Sequence, residues 1–311
     1  MSYISVNDLK TQYKTQTGIV HAVDGVSFFL EKGESIGIAG ESACGKSTLG
    51  LSLMRALQGG IVVSGDILLD GKSIIKMSES EFTKNYRWKE ISMVFQGAMN
   101  SLDPVFTVEH QFHEILKQHN YTGNFDKRIA EIITSVGLNN SVLKKFPHEL
   151  SGGMKQRIVI AMALLLNPKF LIADEPTTAL DVLVQAQVIS LLKKLKKEGL
   201  SIMLITHDLA IISEIAEKIG VMYGGKMIEF GSSSEIYKDP KHPYTQGLLQ
   251  SIPSLKENKK PQYIRGNPPT LLNPPQGCRF YDRCPHAMEK CKKDPPKIKT
   301  DSGYVQCWLY E

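Results

Sequence analysis

The stretch Gly40-Glu41-Ser42-Ala43-Cys44-Gly45-Lys46-Ser47-Thr48 decides the fold of this 311-residue chain. It follows the short apolar run Ser35–Ala39 and precedes residues 46–57, whose apolar positions recur with helical periodicity. A glycine-rich turn between a buried strand and a helix is a P-loop, whose backbone amides bind phosphate oxygens at the helix N-terminus. We therefore expect Lys46 to hold the β- and γ-phosphates of a nucleotide, and the Ser47 hydroxyl to ligate Mg²⁺.

A second glycine-containing stretch, Leu150-Ser151-Gly152-Gly153-Met154-Lys155-Gln156-Arg157, begins another helical segment ahead of the apolar run Phe170–Ala173. That run ends in Asp174 and Glu175. Their carboxylates are therefore predicted at the carboxyl end of a buried strand, where doubly wound sheets bind ligands. Asp174 is the expected metal ligand, and Glu175 is the predicted general base that polarises the attacking water. A structural ion pair is the alternative for a carboxylate at this place.

The order of these motifs resembles the ATP-binding subunits of ABC transporters over almost the whole chain. The resemblance implies ATP and Mg²⁺ at the site. It assigns three further roles: Gln96 senses the metal and the attacking water, His207 contacts the γ-phosphate, and Asp181 belongs to the loop that crosses between subunits. Tyr13 is the expected adenine-stacking aromatic, with an exposed strand tyrosine as the alternative. Family members often have glycine where this chain has Ala43.

The family pairs two ATPase chains head to tail, so Ser151-Gly152-Gly153 and Gln156 are expected to act in trans on the partner's γ-phosphate. The implied assembly contains a homologous ATPase subunit as heterodimer partner, two transmembrane permease subunits and an extracytoplasmic substrate-binding protein. The stretch from Gln96 to Pro104 is close to a pattern of peptide importers, with Gly97-Ala98 in place of their Asp-Pro. No nucleic-acid partner is expected.

Alternation of strand-like and helical segments predicts an α/β fold with a P-loop ABC ATPase core. The core is expected to carry an antiparallel β subdomain, an inserted α-helical subdomain and a small loop-rich C-terminal appendage. Residues 1–252 are predicted to form the nucleotide-binding domain, with the helical insert at about 100–166. Residues 253–311 are predicted to form a Pro- and Cys-rich tail with a metal cluster.

Composition is ordinary for a globular protein, with 42% hydrophobic and 22% charged residues and a net charge of +5. Lys-rich segments are expected to be solvated, with binding to an anionic membrane surface or a nucleic acid as the alternative. No run reaches the roughly 18 apolar residues of a membrane span, and the N-terminus lacks the pattern of a secretory signal. We expect a soluble cytoplasmic protein, and the resemblance implies a peripheral position at the cytoplasmic face of the membrane.

The stretches His242-Pro243-Tyr244-Thr245-Gln246 and Ile264-Arg265-Gly266-Asn267-Pro268-Pro269, followed by clustered cysteines, resemble the ATPases of dipeptide and oligopeptide importers. The cysteines are Cys278, Cys284, Cys291 and Cys307. Disulfides are disfavoured in a reducing cytosol, whereas a metal centre explains both the clustering and the missing hydrophobic core. The resemblance implies a [4Fe-4S] cluster, while zinc and metal-free thiols remain the alternatives.

Together these observations predict the ATP-hydrolysing subunit of a peptide importer. The same ATPase role in an oligosaccharide or nickel importer is the nearest alternative. A non-transport ABC ATPase of DNA repair or translation is the alternative of a different class. Repair ATPases usually place a long coiled coil or zinc modules between the two phosphate motifs, and translation factors usually carry two cassettes. This chain has neither feature.

Overall fold

The computed structural model describes residues 2–251 and 263–311. The domain boundary predicted at residues 252/253 lies outside the described residues. The chain divides into two compact units: a first unit of Met1–Lys76 with Leu204–Glu311, and a second unit of Met77–Met203. Of the helices in the described ranges, none combines the length and the apolar character that crossing a bilayer requires.

Strands and helices are mixed along the chain, as an α/β fold requires. The strands are β1 (Ile4–Thr15), β2 (Gly18–Leu30), β3 (Ile36–Ala39), β4 (Gly60–Leu69), β5 (Lys72–Ser73), β6 (Ile91–Val94), β7 (Phe170–Asp174), β8 (Ser201–Ile205), β9 (Lys218–Tyr223), β10 (Lys226–Ser232), β11 (Lys297–Lys299) and β12 (Tyr304–Gln306). The α-helices are α1 (Lys46–Leu53), α2 (Glu79–Asn85), α3 (Val108–Gln118), α4 (Phe125–Ser135), α5 (Gly152–Leu164), α6 (Val182–Lys197), α7 (Leu209–Ile215), α8 (Ser233–Lys238) and α9 (Pro243–Gln250).

An antiparallel sheet of the first unit has β1 between β2 and β4, with β5 beyond β4. Ile4 lies opposite Leu30 on one side and Leu69 on the other, and all three side chains are buried. Alternate residues of a strand face the same side of a sheet, so the apolar residues Ile4 and Val6 of β1 both lie in the core. The predicted antiparallel β subdomain is thus confirmed.

A second group of strands in the first unit positions the P-loop. In it, β3 is fully buried and runs parallel to β9, and β9 forms a hairpin with β10 through Gly224-Gly225. On its other side β10 pairs antiparallel with β12, which pairs with β11. At Gly303 an added Cβ would lie 1.9 Å from the carbonyl oxygen of Phe230, so this close approach requires glycine. The C-terminal region, predicted to be loop-rich, therefore contributes two short strands.

The second unit combines a parallel strand pair with helices. Ile91 of β6 lies opposite Phe170 of β7, and both strands are buried throughout, which explains their uninterrupted apolar sequences. The segment predicted to be helical contains α3, α4 and α5. Their N-cap residues Thr107, Asn124 and Ser151 each accept a hydrogen bond from a backbone amide of the first turn, which fixes where each helix begins.

Candidate functional site

The P-loop connects β3 to α1 through two glycines in the left-handed region. Gly40 has a φ of 147° and Gly45 a φ of 103°. A Cβ at Gly40 would lie 2.2 Å from the carbonyl oxygen of Met222, and one at Gly45 would lie 2.1 Å from that of Ala22. Both positions therefore exclude any side chain. Ala43 also takes a left-handed φ of 61°, a conformation that costs an L-residue roughly 1–2 kcal/mol and that glycine adopts freely.

Lys46 lies inside the curve of the P-loop. Its side chain is buried, and Nζ donates hydrogen bonds to the carbonyl oxygens of Gly40 at 2.8 Å and Glu41 at 2.9 Å. Cys44 is buried beside it, and burial raises the pKa of this thiol, so Cys44 is a packing residue at neutral pH. The Lys46 ammonium group is thereby held inside the P-loop, where it would interact with a bound phosphate.

In the second unit, the end of β7 carries the carboxylates that the sequence singled out. Asp174 is the last residue of the strand and is buried. Oε2 of Glu175 accepts hydrogen bonds from Nε2 of Gln96 and from Oγ1 of Thr178, both at 3.0 Å. The structure thus brings two of the predicted catalytic residues into contact. Thr178 was not among the predicted residues, although its position in a turn three residues after Glu175 was a usable signal.

The Ser-Gly-Gly turn lies at the N-terminus of α5. Ser151 caps the helix, with its Oγ accepting from the amide of Met154 at 3.3 Å, and both Ser151 and Gly152 are exposed. At Gly153 a Cβ would lie 2.5 Å from Cγ1 of Val184 in α6, so only glycine allows this packing. Gln156 is buried one turn further along α5. Exposed amides at a helix N-terminus form a suitable site for an anion.

The remaining predicted residues occupy element ends and a strand. Asp181 is exposed and caps α6, its Oδ1 accepting from the amide of Val184 at 2.9 Å. His207 is exposed between β8 and α7. Tyr13 lies in β1 opposite Val20 and Gly60, with its ring against Gly60. Its adenine-stacking role stays a prediction.

A contact that the sequence did not predict joins the C-terminal region to the P-loop. Arg283 donates two hydrogen bonds to the Glu41 carboxylate, from Nη1 at 2.8 Å and from Nη2 at 2.9 Å. These bonds hold the pKa of Arg283 above its ordinary value. Nη1 also donates to the Tyr223 hydroxyl at 3.1 Å, and the Tyr244 hydroxyl accepts from the backbone amide of Glu41 at 2.9 Å. Residue 41 is therefore held through both its side chain and its backbone.

Next to Arg283, the four C-terminal cysteines line one small cavity together with His242 and Trp308. Burial raises the pKa of the Cys278 thiol to about 11 and also raises the pKa values of Cys284 and Cys307, with the neighbouring thiols adding to each shift. In the described part of the chain, one set of three possible metal ligands has its ligand atoms within 4.8 Å of one another, and it consists of Glu109, His113 and Asp126. Among these described residues, the four cysteines contribute no such set.

His242 is fully buried beside the same cavity. Its Nδ1 accepts a hydrogen bond from the backbone amide of Tyr244 at 3.0 Å, which caps α9. Its own amide donates to Oε2 of Glu229 at 3.0 Å. Desolvation by burial lowers the pKa of His242 to about 3, so the imidazole is neutral in the folded protein.

Comparison with known protein families gives a match for each of two parts of the chain. The family described as "ABC transporter" matches residues 23–178, and the one described as "Oligopeptide/dipeptide transporter, C-terminal region" matches residues 228–291. The oligopeptide transport ATP-binding protein AppD of Bacillus subtilis (strain 168) is 45% identical over 99% of this chain and 97% of its own length. The dipeptide transport ATP-binding protein DppD of Caldanaerobacter subterraneus subsp. tengcongensis is 45% identical, with the same two coverages.

Among solved structures, the dimeric post-hydrolysis state of the ATP-binding cassette MJ0796 bound to ADP and Pi superposes with a TM-score of 0.66 at 28% identity. The match covers 74% of this chain and 98% of that cassette. CbiO1 of Clostridium perfringens, part of the transporter complex cbiONQ, superposes with a TM-score of 0.64 at 30% identity, over 76% of this chain and 91% of its own. The predicted cassette fold is confirmed.

Proposed function

The chain belongs to the ABC transporter family, as an ATP-binding subunit of the oligopeptide and dipeptide type, and we propose that it powers the import of such peptides by hydrolysing ATP. The observation that carries the proposal is the pair of family matches on one chain, over residues 23–178 and 228–291. Two curated relatives match it over 99% of its length and 97% of their own, which supports the same role for the whole chain.

The reaction we propose is attack of water on the γ-phosphate, with catalysis by positioning and charge neutralisation. Lys46 and the P-loop amides bind the phosphates, and His207 contacts the γ-phosphate. Glu175 takes the proton of the attacking water, and its bonds from Gln96 and Thr178 orient its carboxylate for this step.

For the metal, the proposed ligands Ser47, Gln96 and Asp174 offer a hydroxyl, an amide and a carboxylate. Mg²⁺ prefers oxygen donors, so this donor set fits the ion. When bound, Mg²⁺ would neutralise charge on the phosphate oxygens. The position of Asp174 as the last residue of β7 supports its role, because α/β sheets bind their ligands at the carboxyl ends of their strands.

We further propose that the chain works head to tail with a homologous ATPase subunit. The exposed Ser151 and Gly152 at the N-terminus of α5 would bind the partner's γ-phosphate. Val182 and Leu183, which follow Asp181, are 80% and 77% exposed, and large apolar side chains so exposed fit a surface that a partner covers. Two permease subunits and an extracytoplasmic substrate-binding protein would complete the importer, with this chain peripheral at the cytoplasmic face.

For the cysteine cavity we propose a [4Fe-4S] cluster, with zinc as the second candidate. Four thiols lining one cavity supply the four ligands that such a cluster takes. When bound, the cluster would cross-link a region poor in apolar core residues.

A pull-down of the tagged chain from mildly solubilised native membranes tests the transport role. Recovery of two multi-span subunits, a homologous ATPase and an extracytoplasmic receptor would support it, and the ligand bound to the receptor would identify the cargo. Recovery of soluble ribosomal or DNA-processing partners instead would refute transport and leave only the ATPase chemistry. Iron and sulfide analysis of anaerobically purified protein tests the cluster separately.

A further inference from the structure

The helix cap at α9 fixes which ring nitrogen of His242 carries hydrogen. Because Nδ1 accepts a hydrogen bond from the amide of Tyr244, the neutral imidazole carries its proton on Nε2. His242 is 1% exposed, and within the described ranges its Nε2 has no hydrogen-bond partner. A buried donor without an acceptor is unfavourable, so this nitrogen indicates an acceptor group that the described residues do not supply.

The cysteine cavity is the place for such a group, because His242 lines this cavity together with the four cysteines. Two other nitrogen-bearing side chains line the same cavity. Trp308 donates its Nε1–H to the carbonyl oxygen of Lys293 at 3.0 Å, and His286 is exposed. His242 is thus the buried imidazole with a donor to offer. Both the cysteines that line this cavity and the proposed iron–sulfur cluster offer sulfur as a hydrogen-bond acceptor.

We propose that His242 donates its Nε2–H to a sulfur of the centre that the four cysteines hold, and is a positioning residue rather than a ligand. The proposal rests on the cysteine-centre part of the proposed function. The four cysteines already supply four ligands, and Nε2 would have to lose its hydrogen to coordinate a metal. Hydrogen bonds to sulfur stabilise the more negative, reduced state of an iron–sulfur cluster and so raise its reduction potential.

His242 is also connected to the P-loop through Tyr244. Tyr244, whose amide fixes the His242 tautomer, accepts a hydrogen bond at its hydroxyl from the amide of Glu41 at 2.9 Å. Arg283, which binds the Glu41 carboxylate, directly precedes Cys284. Two short paths therefore connect the cavity with residue 41, one through the His242–Tyr244 backbone and one through the Arg283 side chain.

The first measurement needs no metal. Nitrogen-15 NMR of the full-length chain, labelled at histidine and prepared metal-free, reports the tautomer of each imidazole, and His242→Asn identifies the signal. We expect the Nε2–H tautomer. The Nδ1–H tautomer would overturn the proposal, since the donor would then point into the helix cap. After anaerobic loading with ferrous iron and sulfide, Nε2 should keep its hydrogen; its loss would make His242 a ligand and also overturn the proposal.

The second measurement is the reduction potential of the loaded centre. His242→Asn keeps an N-cap acceptor for α9 but is too short to reach the sulfur, so its potential should be more negative than that of the wild type. His242→Gln places an amide donor near the former Nε2 and should restore most of the difference. His286→Asn, at an exposed histidine of the same cavity, is the matched control and should leave the potential unchanged.

Equal potentials for wild type and His242→Asn would overturn the donor role. Protein that binds neither iron nor sulfide in any variant would overturn the cysteine centre, and the donor role with it. That result would leave the ATPase and transport proposals intact, because the membrane pull-down tests them independently.

Discussion

Removing the contact between Arg283 and Glu41 should weaken nucleotide binding, even though Arg283 is not part of the P-loop. The side chain of Arg283 is 6% exposed and that of Glu41 is 26% exposed. Two charge-assisted hydrogen bonds at 2.8 and 2.9 Å join them. Such bonds contribute about 1.5–3 kcal/mol each, and water at the partly exposed carboxylate would replace part of that. We therefore expect a coupling of about 1–2 kcal/mol, or about 5- to 30-fold in affinity.

A double-mutant cycle measures this coupling directly. Arg283→Gln, Glu41→Gln and the double variant are titrated with a slowly hydrolysed ATP analogue, and the dissociation constants are compared with that of the wild type. Each single variant should bind more weakly because residue 41, whose carbonyl oxygen also accepts from Lys46, is then held only through its backbone. The double variant should be no weaker than the single ones.

Arg265→Gln is the matched control, because it removes an exposed arginine of the same region and should bind like the wild type. The Arg283–Glu41 contact does not support nucleotide binding if Arg283→Gln binds within twofold of the wild type, or if the two single losses add in the double variant. Thermal unfolding of each variant separates a local effect on the P-loop from a general loss of folded protein.

Three further outcomes are expected. Glu175→Gln should retain ATP binding and lose roughly 10²–10⁴-fold in turnover, whereas Lys46→Ala should lose binding itself; full turnover in Glu175→Gln would remove it as the base. Gly153→Ala should lower the unfolding temperature, because its Cβ would lie 2.5 Å from Val184 Cγ1, and an unchanged temperature would contradict this packing. Burial lowers the pKa of His242 to about 3, against about 6.5 when unfolded, so stability should be complete above about pH 6.5 and fall as pH drops towards 3. In urea unfolding at several pH values, the free energy of unfolding should depend less on pH for His242→Asn than for the wild type.

Residues with local signals were predictable from the sequence. The P-loop glycines, the strand that ends at Asp174 and the cap at Ser151 all follow from short-range patterns, because each depends on neighbours within a few positions. The Gln96–Glu175 contact was foreseen only as two separate roles, since pairing across 79 positions leaves no local pattern. The resemblance to known ATPases supplied that assignment.

The C-terminal region shows where sequence reasoning ended. Its many prolines and few apolar residues predicted loops, yet β12 pairs with β10. This pairing is possible because Gly303 lets the two backbones approach closely. The Arg283–Glu41 contact spans 242 positions, and nothing in either local sequence indicates the partner. The tautomer of His242 likewise depends on the cap geometry of α9, which only the folded backbone defines.

The hydrogen bond between the Glu41 amide and the Tyr244 hydroxyl connects the P-loop with the region of the cysteine cavity, so the two sites can affect each other's affinity. Free-energy coupling between two sites is reciprocal: if loading of the cysteine cavity changes ATP affinity by some factor, ATP must change the affinity for the occupant of that cavity by the same factor. If loading strengthens ATP binding, ATP must strengthen retention of the occupant equally, and loss of the occupant would weaken ATP binding by the same factor.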